Sequence, residues 1–136
     1  MQAARRPLAL VAAFVALWLA LAPSAPAAAP ASRLVGPAAF ARAVADPRTV
    51  TIDVHVPDEG SIPGTRLWIP YDEIRAHARE LPARTTRLAI YCRSGRMSAI
   101  AAQTLRALGY RNVVELRGGM RAWEASGRPL LPPGVR

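Results

Sequence analysis

Apolar positions along this chain follow two rhythms. Val50–Val54 (VTIDV), Leu67–Ile69, Leu88–Tyr91 (LAIY) and Val113–Leu116 are short, apolar and rich in branched residues, as buried strands are. Between them the spacing becomes helical. Met97, Ile100, Ala101, Thr104, Leu105 and Leu108 recur on one helical face, and Gly109 fits the position just past the last turn. Pro37–Ala45 predicts a short helix that opens on proline and stops at Asp46-Pro47. Pro70-Tyr71-Asp72-Glu73 predicts another, with acids in its first turn and Ile74, Ala78 and Leu81 on one face. Gly118-Gly119 leads into a last helix carrying Met120 and Trp123, closed by Gly127 and Pro129. Pro57–Gly64 reads as a loop, and the Pro-rich tail after Pro129 as loose. Strands alternating with helices predict an α/β fold, a mostly parallel sheet covered on both faces. No internal repeat is present.

The first 31 residues break this pattern. Arg5 and Arg6 precede an uncharged apolar run, Leu8–Ala22, which Pro23 ends, and Ala25-Pro26-Ala27 offers a small-x-small cleavage site. As a helix the run is about 22 Å long, short of the roughly 30 Å hydrocarbon core. Residues 1–31 are therefore expected to be a signal peptide cleaved near 27–31, with no stable membrane span afterwards. That makes the protein exported, periplasmic or secreted, with an uncleaved anchor as the alternative. Residues 32–136 then form one domain of about 105 residues, enough to bury roughly two-thirds of its unfolded surface. The whole chain has 136 residues, 51% hydrophobic and 20% charged, which describes a globular chain.

The net charge of +9 needs discounting. The chain has arginine and no lysine, and beyond the leader the arginines stand singly, without interleaved aromatics to stack on bases. No nucleic-acid partner is expected. Attraction of small anions is the better use of such a field.

Export sharpens the meaning of Cys92, the single cysteine, because exported chains usually pair their cysteines and this one has no internal mate. A buried strand runs straight into it, about five residues turn, and an amphipathic helix begins. In an open α/β sheet, ligands bind beyond the carboxyl ends of the strands. The turn aims backbone N–H groups inward, and the helix start adds partial positive charge. Gly95 can take the positive φ so tight a loop needs, while Arg93 and Arg96 add full charges. Each effect favours thiolate over thiol and would hold a small oxyanion against the sulfur. Cys92 is thus the candidate nucleophile. His55, His77 and Cys92 lack metal-ligand spacing, so no metal is expected. His55 reads as exposed polarity at a strand end and His77 as half-buried. Trp123 reads as a packing residue, and Asp53 as a holder of the neighbouring loop.

At these residues the chain resembles the rhodanese family of single-domain sulfurtransferases. Thr51–Val54 with Ile62-Pro63-Gly64-Thr65 is similar to the family's "IDVR … IPGA", and Cys92–Ser98 to its "CRSGxRS" loop. Gly109-Tyr110, Asn112-Val113, Gly118-Gly119 and Trp123 are similar to its closing "GY.NV…GG…W". The resemblance implies a five-stranded, mostly parallel sheet flanked by helices on both faces. It also implies that Cys92 takes the outer sulfur of a donor such as thiosulfate as a persulfide and passes it to a thiophilic acceptor, cyanide or a thiol. Arg93, Ser94, Gly95, Arg96, Met97 and Ser98 would bind the donor, with Asp53 in support and no metal or organic cofactor. A protein that donates or accepts the persulfide is a further expected partner. Two departures stand out. The loop arginine that the family carries five residues after cysteine is Met97 here, with Arg96 one place earlier, and the family's arginine after "IDV" is His55. A cysteine phosphatase or arsenate reductase needs an arginine six residues after cysteine, where this chain has Ser98. A low-turnover persulfide carrier or redox-sensing module of the same fold is the alternative function.

Overall fold

The computed structural model describes residues 25–27 and 29–136. Its elements are β1 (Arg33–Val35), α1 (Pro37–Ala45), β2 (Thr49–Asp53), β3 (Leu67–Trp68), β4 (Arg87–Tyr91), α2 (Arg96–Ala107), β5 (Val113–Leu116) and α3 (Gly119–Ala125). The five strands form one sheet in the order β1-β5-β4-β2-β3, and every pairing is parallel. The core explains why the central strands are continuously apolar. Successive residues of β4 point to opposite faces: Leu88 and Ile90 join one buried cluster, Ala89 and Tyr91 the other. Ala101, Ala102 and Leu105 of α2, with Ile74, cover the first face. Phe40 and Ala43 of α1, with Met120 and Trp123 of α3, cover the second. Trp123 is a packing residue there, its ring edge-on to Phe40.

The helix boundaries follow the expected signals. Pro37 opens α1. Past the end of α2, Gly109 has φ of 100°. The Gly109 and Tyr110 N–H groups donate back to the carbonyls of Arg106 and Leu105, a Schellman cap. The buried stripe of α2 is rotated from the expected one. Ser98, Ala101, Ala102 and Leu105 face the sheet, while Ile100 is exposed. Small residues on that face let the helix lie close to the strands.

Elsewhere the structure departs from the sequence pattern. Residues 71–80 are successive turns rather than a helix, with bonds such as Glu80 N–H to the His77 carbonyl three residues back. Ile74 is buried and Ala78 exposed, so the expected helical face does not form. A fifth strand, β1, lies at the edge beside β5, and its exposed Arg33 and Leu34 give no strand-like pattern. The tail after Pro129 is tied down. Leu131 bridges to Ser61, the Ser61 hydroxyl donates to the Val135 carbonyl at 2.6 Å, and Arg136 pairs with Asp58 at 2.9 Å. The apolar run and the Arg5-Arg6 pair of the leader lie outside the described residues. Among the described residues, no helix is long and apolar enough to cross a membrane.

Candidate functional site

Cys92 follows the last residue of β4, at the carboxyl edge of the sheet, and is 1% exposed. Gly95, with φ of 109°, turns the chain so that its N–H donates to Cys92 Sγ at 3.0 Å before α2 begins. No L side chain adopts that φ without strain, which is why glycine stands there. Ser94 and Arg96 are exposed on the outside of the loop, and the Arg96 side chain makes no hydrogen bond or ion pair among the described residues. Met97 is half-buried and packs against the core that contains Cys92. It serves the core rather than standing in for the displaced arginine.

The loop is held from outside by α3. Met120 N–H donates to the Cys92 carbonyl at 2.9 Å and Arg121 N–H to the Arg93 carbonyl at 3.1 Å. Those bonds require α3 to begin against the loop backbone. Gly119, at φ of 58°, makes the approach possible, since a Cβ there would overlap the Cys92 carbonyl oxygen and come within 2.6 Å of the Arg93 carbonyl. The Gly118-Gly119 pair of the sequence is thus part of the site.

On the β2 side, Arg93 Nε lies 3.5 Å from Glu59, whose same oxygen lies 2.6 Å from His55 Nε2. His55 is 8% exposed, not the exposed strand-end residue expected, and its Nδ1 has no partner among the described residues. Asp53 is fully buried. Its Oδ1 accepts the His55 N–H at 2.9 Å, and its Oδ2 has no partner among the described residues. Burial pushes its carboxyl up to about 7, against the smaller opposing effects of that hydrogen bond and of Arg136. His77 is half-buried, far along the turn segment, and its ring bonds with Glu80 and Glu73 raise its pKa.

Beneath the loop, Ser98 is fully buried rather than lining the mouth. Its hydroxyl donates to Glu115 on β5 at 2.6 Å, and Cys92 Sγ lies 3.6 Å from the same hydroxyl oxygen. The other Glu115 oxygen accepts the Ser32 hydroxyl at 2.7 Å. Sequence reasoning passed over Glu115 and Glu59. For Glu115 the signal was an acid inside an apolar strand; Glu59, in a loop of mixed polarity, carried none.

The site therefore presents one thiol, a backbone donor aimed at it, and two arginines on the loop. The chain as a whole is similar to several known proteins. The family model described as "Rhodanese-like domain" matches residues 36–126. A "Sulfurtransferase" of Allochromatium vinosum is 38% identical over 85 residues, covering 60% of this chain and 78% of that protein. YrkF of Bacillus subtilis, a proposed sulfur carrier protein, is 36% identical over 66 residues, 48% of this chain and 35% of that one. Among solved structures, a rhodanese-related protein from Thermoplasma volcanium superposes with a TM-score of 0.63 at 30% identity, covering 73% of this chain and 97% of that chain.

Proposed function

This chain belongs to the rhodanese-like domain family, and on that premise we propose that it moves sulfane sulfur from an anionic donor such as thiosulfate to a thiophilic acceptor through a persulfide on Cys92. The family match and the sulfurtransferase relative support sulfur transfer as the class of activity. The observation that carries the finer reading is the Gly95 N–H pointed at Cys92 Sγ at 3.0 Å, at the end of a buried strand and the start of a helix. That donor is placed to hydrogen-bond the sulfur as it attacks, and the thiolate is the attacking form.

In the first step the Cys92 thiolate attacks the outer sulfur of thiosulfate. The new S–S bond forms as the old one breaks, and sulfite leaves with the bonding pair. In the second, cyanide or a thiolate attacks the outer sulfur of the persulfide, and the Cys92 thiolate is the leaving group. Charge and atoms balance in both. The donor's sulfonate needs a cation while this happens. Arg96, exposed and unpaired among the described residues, supports that role better than Arg93, which already faces Glu59.

Incubation with thiosulfate should add one sulfur atom to the protein, read by intact mass, and cyanide should remove it. Cys92→Ser should acquire none. Turnover by the serine variant would overturn the mechanism. Loading without turnover would favour the carrier reading, to which the YrkF likeness also leans.

A further inference from the structure

A buried carboxylate is costly unless hydrogen bonds satisfy it, and Glu115 is only 3% exposed on the inner face of β5. No arginine forms an ion pair with it among the described residues. The arginines on the elements packed around it are Arg33 on β1, Arg87 on β4, Arg93 in the loop, and Arg96 and Arg106 on α2. Two serine hydroxyls satisfy it instead, Ser98 at 2.6 Å and Ser32 at 2.7 Å.

Ser98 has a single hydroxyl proton to give. The short contact to Glu115 takes it in preference to the Gly95 carbonyl at 3.1 Å. The Ser98 oxygen then faces Cys92 as an acceptor, and Sγ donates to it across 3.6 Å. Both hydrogen bonds point the same way, from sulfur to serine to carboxylate. A thiolate and a carboxylate at most about 6 Å apart through that hydroxyl repel, and ionising both is unfavourable.

We propose that Cys92 and Glu115 share one proton through Ser98, which makes Glu115 a positioning residue for the reactive sulfur. In the activating step the Cys92 S–H bond breaks and its proton passes to Ser98 Oγ. The Ser98 O–H bond breaks at the same time, and that proton passes to Glu115 Oε1. The S–H electron pair stays on sulfur. The products are a thiolate, a serine hydroxyl now donating to it, and a neutral carboxylic acid, so the total charge is unchanged. Negative charge has moved from the interior to the atom that the Gly95 N–H faces at 3.0 Å. A dianionic donor then meets one negative charge in the site instead of two.

This inference rests on Cys92 being the reactive centre, and its test needs no sulfur donor. The rate of Cys92 alkylation by iodoacetamide, followed by mass across pH, reports the thiolate directly. The wild-type profile should rise in two steps, as coupled groups do. Glu115→Gln keeps an acceptor oxygen for one serine, presents its amide N–H as a donor to the other serine's oxygen, and has no carboxyl proton to exchange. It should lose the lower step and give a single step below the upper wild-type one. Ser98→Ala keeps the buried charge and cuts the relay, and should give one step at or above the upper wild-type step. A single-step wild-type profile, or a Glu115→Gln profile that superimposes on wild type, overturns the proposal. Should the glutamine variant fail to fold, two steps persisting in Ser98→Ala overturn it equally. A protein that does not turn over thiosulfate still reports on the shared proton. One that turns it over with an uncoupled profile loses only this inference.

Discussion

Replacing Asp53 by asparagine should remove most of a pH dependence of stability. Asp53 is fully buried beside the active loop, one oxygen on the His55 N–H and the other without a partner among the described residues. Burial moves its carboxyl from 3.8 to about 7, so between those values the folded state binds a proton that the unfolded chain has lost. The associated stability is fully present below the unfolded value and is lost as pH rises through about 7. At about 1.4 kcal/mol per pH unit, the loss across the window is on the order of 4 kcal/mol. The Asp53→Asn variant would keep an oxygen for the His55 N–H and never ionise. Urea denaturation of both proteins at intervals from about pH 4 to about pH 8 makes the comparison, and the difference between the curves cancels the titrations they share. Wild type should lose stability relative to the asparagine variant as pH rises. Parallel curves would refute the assignment of a neutral Asp53 to the fold.

Gly119→Ala should destabilise the protein by about 2–4 kcal/mol and slow Cys92 alkylation, since its Cβ would strike the loop backbone and its φ disfavours any side chain. Gly127→Ala is the control: it also has positive φ but nothing within 4 Å, and should cost only about 1 kcal/mol by thermal denaturation. Equal losses in the two would dismiss the close approach of α3 as the reason for Gly119. Arg96→Ala should raise the thiosulfate KM about tenfold, near 1.4 kcal/mol of charged hydrogen bonding, with little change for an uncharged sulfane donor. An unchanged KM in steady-state kinetics would remove Arg96 from donor binding.

Much of this could be read from the chain. β2, β4 and β5 are covered on both sides, so their sequences are nearly unbroken apolar runs, and Gly109 sits where the end of α2 requires it. The turn at Cys92 was legible because a thiol, a glycine and two arginines converge between a strand and a helix. β1 was not, because an edge strand with Arg33 and Leu34 exposed carries no such run. Residues 71–80 misled because helix-start chemistry is shared by tight turns. Tertiary pairs left the least trace. Ser98 and Glu115 stand on different elements, and only the parallel placement of β5 against β4, with α2 above them, brings them together. The same holds for Glu59 and Arg93.

The strand order has a consequence for the chain as it is made. β5, the last strand in sequence, is inserted between β4 and β1. A nascent chain growing from its N-terminus therefore has β1 waiting without a neighbour while α1, β2, β3, β4 and α2 are synthesised. Only when β5 appears does the first strand gain a place, and only when α3 follows do the Cys92 and Arg93 carbonyls receive their donors. These pairings join distant parts of the chain, the kind that form late and slowly. Until α3 has emerged, then, the loop that carries the thiol lacks those two donors. A fragment that ends before Arg121 would hold its cysteine without both of the bonds by which α3 fastens the loop.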